Sequence, residues 1–242
     1  MRPDAVHAVI AVKNLDRAKS RLADRLPVAD RSRLVLAMLS DTVAAVRDAG
    51  LGSVTVVTPD QRVAAAVREL GAVVHPDPAA TPSTGTATEF GDGLNTALAS
   101  AAAGVRERHG EVDLLALQAD LPAVHAGELV AMLAAAPPTG RAVVVDHTGR
   151  GTAALLVRAR GHSALMPRFG PDSARHHRES GAVELAGAWP GLRLDVDTAD
   201  DLECAIELGV GPATAALLRD IGWPVGVHEK LIGRCAASSR VC

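Results

Sequence analysis

Short apolar runs alternate along this chain with longer stretches whose apolar residues recur at helical spacing, and this alternation restricts the fold more than any other feature. The run Val-His-Ala-Val-Ile-Ala-Val at 6–12 predicts a buried first strand, and 53–57, 72–75 and 112–117 predict three more. Between them, 30–48 places Leu34, Met38, Val43 and Val46 at helical spacing and stops at Gly50. The stretch 61–70 ends at Gly71, and 94–108 and 127–135 read as two further helices. Strands alternating with helices predict a mostly parallel sheet covered on both faces. After residue 141 the pattern changes. Runs at 142–145 and 152–157 flank Asp-His-Thr-Gly-Arg-Gly and predict a hairpin or a crossing pair, not another strand–helix–strand unit. A last strand is expected at 192–196, then helices at 199–208 and 212–220. The loop at 76–91, rich in Pro, Thr and Gly, is about 15 residues long, enough to suggest a functional role. Residues 1–222 read as one domain, and 223–242 as a loosely ordered tail without a clear period.

Composition narrows the functions such a fold could serve. Of 242 residues 48% are hydrophobic, yet only two Phe, two Trp and no Tyr are present, so Ala, Val and Leu must build the core. Nucleic-acid modules that stack bases on aromatic rings are thereby disfavoured. A net charge of -3 gives no global basic field to hold a phosphate polymer, although a local cluster could hold a small phosphate ligand. No apolar run reaches the roughly 18 residues of a membrane helix. The apolar start meets Lys13 too soon for a signal peptide and is read as a strand. Cys204, Cys235 and Cys242 form no CxxC pair, which suggests neither a disulfide framework nor a zinc site and points to the cytoplasm. The nine histidines show no metal-ligand spacing such as HExxH, and most are expected to be structural or solvent-facing. Neither nucleic acid nor membrane is expected as a partner; a homodimer is compatible with the sequence.

Several short segments could carry chemistry. Asp120 follows the predicted strand at 112–117, and ligands of open α/β sheets bind outside the carboxyl ends of strands. It would serve equally as the cap of the next helix. In Asp195-Val-Asp197, the two carboxylates are spaced to share one face of a strand, where a cation would relieve their repulsion; a solvated turn is the alternative. Thr198 and Asp201 have capping-box spacing, which assigns Asp200 and Asp201 to the next helix terminus. Lys13, Arg17, Lys19 and Arg21 crowd the segment after the first strand, where nucleotide phosphates would be expected unless the run is only a solvated face. Walker A spacing is absent. Gly91-Asp-Gly93-Leu-Asn95 lacks the third glycine of a dinucleotide fingerprint and follows a loop, so NAD and FAD binding is rejected. Arg168-Phe-Gly170-Pro-Asp-Ser173 ends at an expected helix start, able to hold an anion or simply to cap the helix.

Taken in order, Val12-Lys13, Ala18-Lys19-Ser-Arg21-Leu22, Gly93-Leu-Asn95, Gln118-Ala-Asp120-Leu-Pro122, Gly151-Thr152, Arg168-Phe-Gly170-Pro-Asp-Ser173 and Asp195-Val-Asp197-Thr198 resemble a known family. It is the 2-phospho-L-lactate or phosphoenolpyruvate guanylyltransferases of coenzyme F-420 biosynthesis, and the resemblance covers roughly residues 5–221. The resemblance implies a three-layer, Rossmann-like nucleotide-diphosphosugar-transferase (GT-A-like) α/β fold. It implies GTP as donor, Mg²⁺ as cofactor and a small phosphorylated carboxylic acid as acceptor, with phosphoenolpyruvate favoured over 2-phospho-L-lactate. Carried over by position, Asp120, Asp195 and Asp197 would bind the metal, and Thr152, Gly170 and Ser173 the acceptor. Lys13, Lys19 and Arg21 would face the GTP phosphates and act in catalysis, with Gly93 and Asn95 near the nucleoside. A molybdopterin-type nucleotidyltransferase would usually carry a Gly-rich loop where this chain reads Val12-Lys-Asn-Leu-Asp16. A non-catalytic nucleotide-binding regulator would not need three carboxylates.

Overall fold

The computed structural model describes residues 3–78, 92–160 and 164–224. Its centre is β1 (Val6–Ala11), which pairs in parallel with β2 (Ser53–Thr58) on one side and β4 (Asp113–Leu117) on the other. β3 (Val73–Pro76) extends the parallel set beyond β2. Beyond β4 the direction reverses. β6 (Thr152–Val157) runs antiparallel to both β4 and β5 (Arg141–Val145), so the expected hairpin is present. A two-residue strand that the sequence did not announce, β7 (Val183–Glu184), pairs in parallel with β5 and completes the order β3-β2-β1-β4-β6-β5-β7. The result is a seven-stranded, mostly parallel α/β sheet.

Two apolar layers sandwich it. Along β1 the residues Val6, Ala8 and Ile10 join the larger core, while Val9 joins the smaller one, as the twofold alternation of a strand requires. The larger layer takes Leu34, Met38 and Val43 from α1 (Val28–Asp48) and Leu129, Met132 and Leu133 from α4 (Ala126–Ala135). The smaller layer rests on α3 (Asp92–His109) through Ala97, Leu98, Ala101 and Val105. Alanines in α3 let that helix lie close to the sheet, so few aromatic rings are needed to fill the space. α2 (Gln61–Glu69) adds Val63 and Val67 to the larger layer and is capped by Asp60, whose side chain accepts from the Arg62 N–H at 2.9 Å.

The remaining helices close the carboxyl end of the chain. They are α5 (Ser173–Glu179), α6 (Pro190–Arg193), α7 (Ala199–Leu208) and α8 (Pro212–Asp220). The strand expected at 192–196 is absent: Pro190 opens the short helix α6, and residues 194–197 pass the sheet as a single extended segment. Among the described residues the one backbone bond from that segment to the loop after β4 is the N–H of Val196, donating to the Asp120 carbonyl at 3.1 Å. Trp223, which follows α8, is 6% exposed and packs in the larger layer. Cys204 lies on α7, whereas Cys235 and Cys242 lie outside the described residues. Among the described residues no helix is long and apolar enough to cross a membrane.

One buried carboxylate ties the last helix to the first long one. Asp41, 5% exposed within α1, accepts from the N–H groups of Ala213 (2.9 Å) and Thr214 (2.8 Å) at the start of α8. Two charge-assisted bonds at a helix N-terminus stabilise this junction. Asp41→Ala is expected to cost about 1.5–3 kcal/mol, the range for bonds to a charged group, read as a lower urea midpoint with unchanged m-value.

Candidate active site

Because β6 is antiparallel, its amino end lies at the edge where β1 and β4 present their carboxyl ends, and the sequence-predicted residues gather there. After β1 the chain folds into two short 3-10 turns, Leu15–Arg17 and Ser20–Leu22, pinned by Leu15 and Leu22, which are almost fully buried. Between them Lys19 adopts a left-handed backbone (φ 53°), uncommon for a residue with a side chain, and this turns its ammonium inward. The Lys19 side chain is 8% exposed. Its Nζ donates to Asp120 and, at 2.9 Å, to Asp197. Burial opposes the ammonium's charge, but Asp120 and then Asp197 outweigh it and hold the Lys19 pKa above its usual value.

Asp120 is set by the core beneath it. Thr42 on α1 accepts the Leu121 N–H at 3.3 Å, and the Asp120 carbonyl takes the Val196 N–H. This draws the 194–197 segment against the end of β4 and brings Asp195 and Asp197 to Asp120. Arg21, mostly exposed, lies 3.6 Å from the second Asp197 oxygen. Lys13 stands exposed just past β1, and a Cβ on Gly93 would sit 2.9 Å from its Nζ. Glycine thus permits α3 and the Lys13 side chain to meet.

His147 is the residue that the sequence reading missed. It occupies the β5–β6 connection, where Asp146 Oδ1 accepts from Thr148 Oγ1 at 2.7 Å and from the Arg150 N–H at 3.2 Å. The imidazole Nδ1 lies 3.5 Å from Asp195 and Nε2 lies 3.2 Å from Asp201. Asp195, then Asp201, raise the His147 pKa to about 10. Although burial works the other way, His147 and the Thr198 cap lower Asp201 to about 2. Asp201 therefore forms the expected capping box with Thr198 and also anchors the imidazolium. Asp195 is raised, first by burial and then by the negative charges of Asp120, Asp146 and Asp197, with His147 opposing. The open end of a strand pair at this edge was the available signal for His147.

The carboxylates suit a hard divalent cation by chemistry. Among the described residues Asp120 Oδ1 is buried without a hydrogen-bond donor, which is costly for a carboxylate oxygen unless a charge approaches it. Among the described residues no three His, Cys, Asp or Glu side chains stand ready as a metal cage, since the Lys19 ammonium fills the space between Asp120 and Asp197.

On the neighbouring side, Thr152, Gly170 and Ser173 are joined through the fold. Thr152 opens β6 and is buried, its Oγ1 2.9 Å from His177 Nδ1. His177 Nε2 accepts the Arg168 N–H at 2.9 Å, which leaves Nδ1 protonated and donating to Thr152. Gly170 has φ 129°, is exposed, and has nothing within 4 Å of where a Cβ would stand. Ser173 is buried at the start of α5, its N–H bonded to the Gly170 carbonyl at 3.2 Å. Asn95, on the first turn of α3, spends its amide on Phe169, donating to the carbonyl at 3.0 Å and accepting from the N–H at 2.8 Å. The loop at 79–91, with Phe90 and Gly91, lies outside the described residues.

The family model described as "Guanylyl transferase CofC like" matches residues 6–240. A phosphoenolpyruvate guanylyltransferase from Nocardia farcinica is 64% identical over 230 residues, covering 95% of this chain and 97% of the relative. A phosphoenolpyruvate guanylyltransferase from Rhodococcus erythropolis is 54% identical over 216 residues, 88% of this chain and 95% of the relative. The solved structure of a nucleotidyl transferase from Methanothermobacter shares the fold at a TM-score of 0.52 and 19% identity, covering 84% of this chain and 97% of that one.

The environment of His177 makes stability depend on pH. Burial first, then the charges of Arg141 and Arg168, lower its pKa to about 4. In the unfolded chain a histidine titrates near 6.5. As pH falls from about 6.5 towards 4 the unfolded state therefore gains a proton that the folded state refuses, and stability falls. His177→Asn is expected to be less stable than the native protein at pH 7.5, with the gap in urea midpoint narrowing as pH drops through that window.

Proposed function

The chain belongs to the CofC-like guanylyl transferase family, and from that premise we propose that it transfers the guanylyl group of GTP to phosphoenolpyruvate and releases diphosphate. The observation that carries this reading is the convergence of Lys19, Asp120, Asp195 and Asp197 on one sheet edge, beside the Thr152 and Gly170 segments. The sequence relatives that act on phosphoenolpyruvate support the choice of acceptor.

In this reading the acceptor's phosphate oxygen attacks the α-phosphorus of GTP, the bond from that phosphorus to the bridging oxygen breaks, and diphosphate leaves. A phosphate monoester has a second pKa of about 6, so the nucleophile is already anionic at neutral pH and no general base is needed. The protein's work is positioning and charge. Lys13, Lys19 and Arg21 face the triphosphate, drawing the transferring phosphoryl group into line and neutralising the leaving diphosphate. Gly93 and Asn95 lie on the nucleoside side. Thr152, Gly170 and Ser173 hold the acceptor, the open backbone at Gly170 leaving room for it. Asp120, Asp195 and Asp197 would hold Mg²⁺, which supplies Lewis-acid neutralisation of phosphate oxygens when bound. His147 keeps Asp195 oriented and compensates its charge. Lys19 has two sets of partners, the carboxylates described above and the phosphates of the donor.

Two measurements test this reading. With GTP, Mg²⁺ and phosphoenolpyruvate the native protein is expected to release diphosphate; release with ATP alone, or with no phosphorylated acid, would overturn it. Asp120→Asn and Asp197→Asn are expected to lower the rate by at least about 10²–10³-fold, the scale of losing one preorganised charge, while the circular dichroism spectrum stays native. A separate expectation concerns Lys19. Lys19→Met removes the ammonium that competes for the carboxylates, so Mn²⁺ titrated without nucleotide and followed by electron paramagnetic resonance should bind at least about tenfold tighter than to the native protein. Guanylyl transfer by the same variant should fall.

A further inference from the structure

Segment 168–173 is held from two sides by side chains that approach it from different elements. From α5, His177 takes the Arg168 N–H on Nε2 and gives its Nδ1 proton to Thr152 Oγ1 on β6, both at 2.9 Å. From α3, Asn95 closes a paired bond with the backbone of Phe169, at 3.0 Å and 2.8 Å. Phe169 is itself buried and meets the His177 ring edge-on, with centroids 5.2 Å apart. The residues just beyond the grip have unusual backbones: Gly170 at φ 129° and Asp172 at φ 52°. Such conformations persist only when their surroundings over-determine them.

We propose that His177 is a positioning residue for the phosphorylated acceptor, acting through Thr152 and the Arg168–Ser173 segment, with Asn95 as its counterpart on the opposite side. The inference rests on the guanylyl-transfer reading above and adds to it residues that touch neither metal nor reacting atoms. The chemistry of the ring explains why histidine stands here. One nitrogen must accept and the other must donate, and only the neutral imidazole does both. Full burial, then the positive charges of Arg141 on β5 and Arg168 on the loop, outweigh the Ser173 backbone, which favours the charged ring, and with His176 adjacent keep it in that form. A threonine hydroxyl that accepts from an imidazole N–H keeps its own proton for another acceptor. His177 therefore sets the direction of the Thr152 O–H as well as the height of the Gly170 backbone. Asn95 sits two residues from Gly93, beside Lys13, so the same helix that borders the nucleotide side fixes the acceptor loop. Donor and acceptor are thereby held at a common spacing.

The test is a split in kinetic constants. Diphosphate release is measured for the native protein, His177→Ala, His177→Gln and Asn95→Ala, varying phosphoenolpyruvate at saturating GTP and then the reverse. The KM for phosphoenolpyruvate should rise at least about tenfold in His177→Ala and Asn95→Ala, since small misplacements of a bound reactant are costly. In the His177 variants the KM for GTP should stay within about twofold. His177→Gln keeps an acceptor for the Arg168 N–H and should fall between native and alanine, a graded rescue that a purely structural role does not produce. Circular dichroism and melting temperature report folding, and if His177→Ala does not fold, the glutamine and Asn95 variants decide. An unchanged KM for phosphoenolpyruvate in folded variants, or equal rises for both substrates in the His177 variants, would overturn the inference and leave the guanylyl-transfer reading standing. No release by the native protein with phosphoenolpyruvate, 2-phospho-L-lactate or 3-phosphoglycerate would remove that reading and the inference with it.

Discussion

Three carboxylates that gather at one sheet edge repel each other, and the site exists because two cations are built in among them. Lys19 lies between Asp120 and Asp197, and His147 stands against Asp195 and Asp201. Each cation comes from a connection at the same edge: Lys19 from the turns after β1, His147 from the tip of the β5–β6 pair. β6 is antiparallel to both β4 and β5, so β5 runs in the direction of β4 and its carboxyl end delivers His147 to the edge that carries Asp120. The reversed β6 then starts at that edge and adds Thr152 to it. Strand direction thus decides which side chains the site receives.

The two cations differ in what they can do. His147 touches two carboxylates and shares one of them with a helix cap, so moving it would undo the start of α7. Lys19 has no such second duty. Its long side chain springs from a left-handed backbone in a short turn, a conformation tolerated while its partners hold it. One cation is fixed in the frame, and the other can exchange carboxylates for an incoming anion.

Local rules carried the sequence reading a long way. The strands β1 to β6 follow from apolar runs, α7 from its capping signal, and the antiparallel pair from the break in strand–helix alternation. The family resemblance picked out residues that the fold brings to one edge. What escaped was set by contacts between distant positions. The expected strand at 192–196 has the right composition, yet Pro190 starts a helix, and the segment's backbone is joined only to the loops beyond β4 and β5, at Asp120 and His147, among the described residues. His147 looked like an ordinary loop histidine until its partners, far along the chain, stood beside it. Asn95 and His177 lie in segments whose local chemistry suggests a ligand contact and a helix interior; only the folded arrangement shows both gripping the same loop.

The bond between Asp41 and the start of α8 spans 172 residues of sequence. A ribosome making this chain releases α1 long before α8 exists. Until then the Asp41 carboxylate has no helix terminus to cap, and withdrawing its charge from water would be unfavourable. The α1 face must therefore stay partly hydrated while the whole sheet is being synthesised, and it can dry only when residues 213 and 214 arrive. Completion of this layer waits for the synthesis of α8, a timing written into the protein by one buried charge.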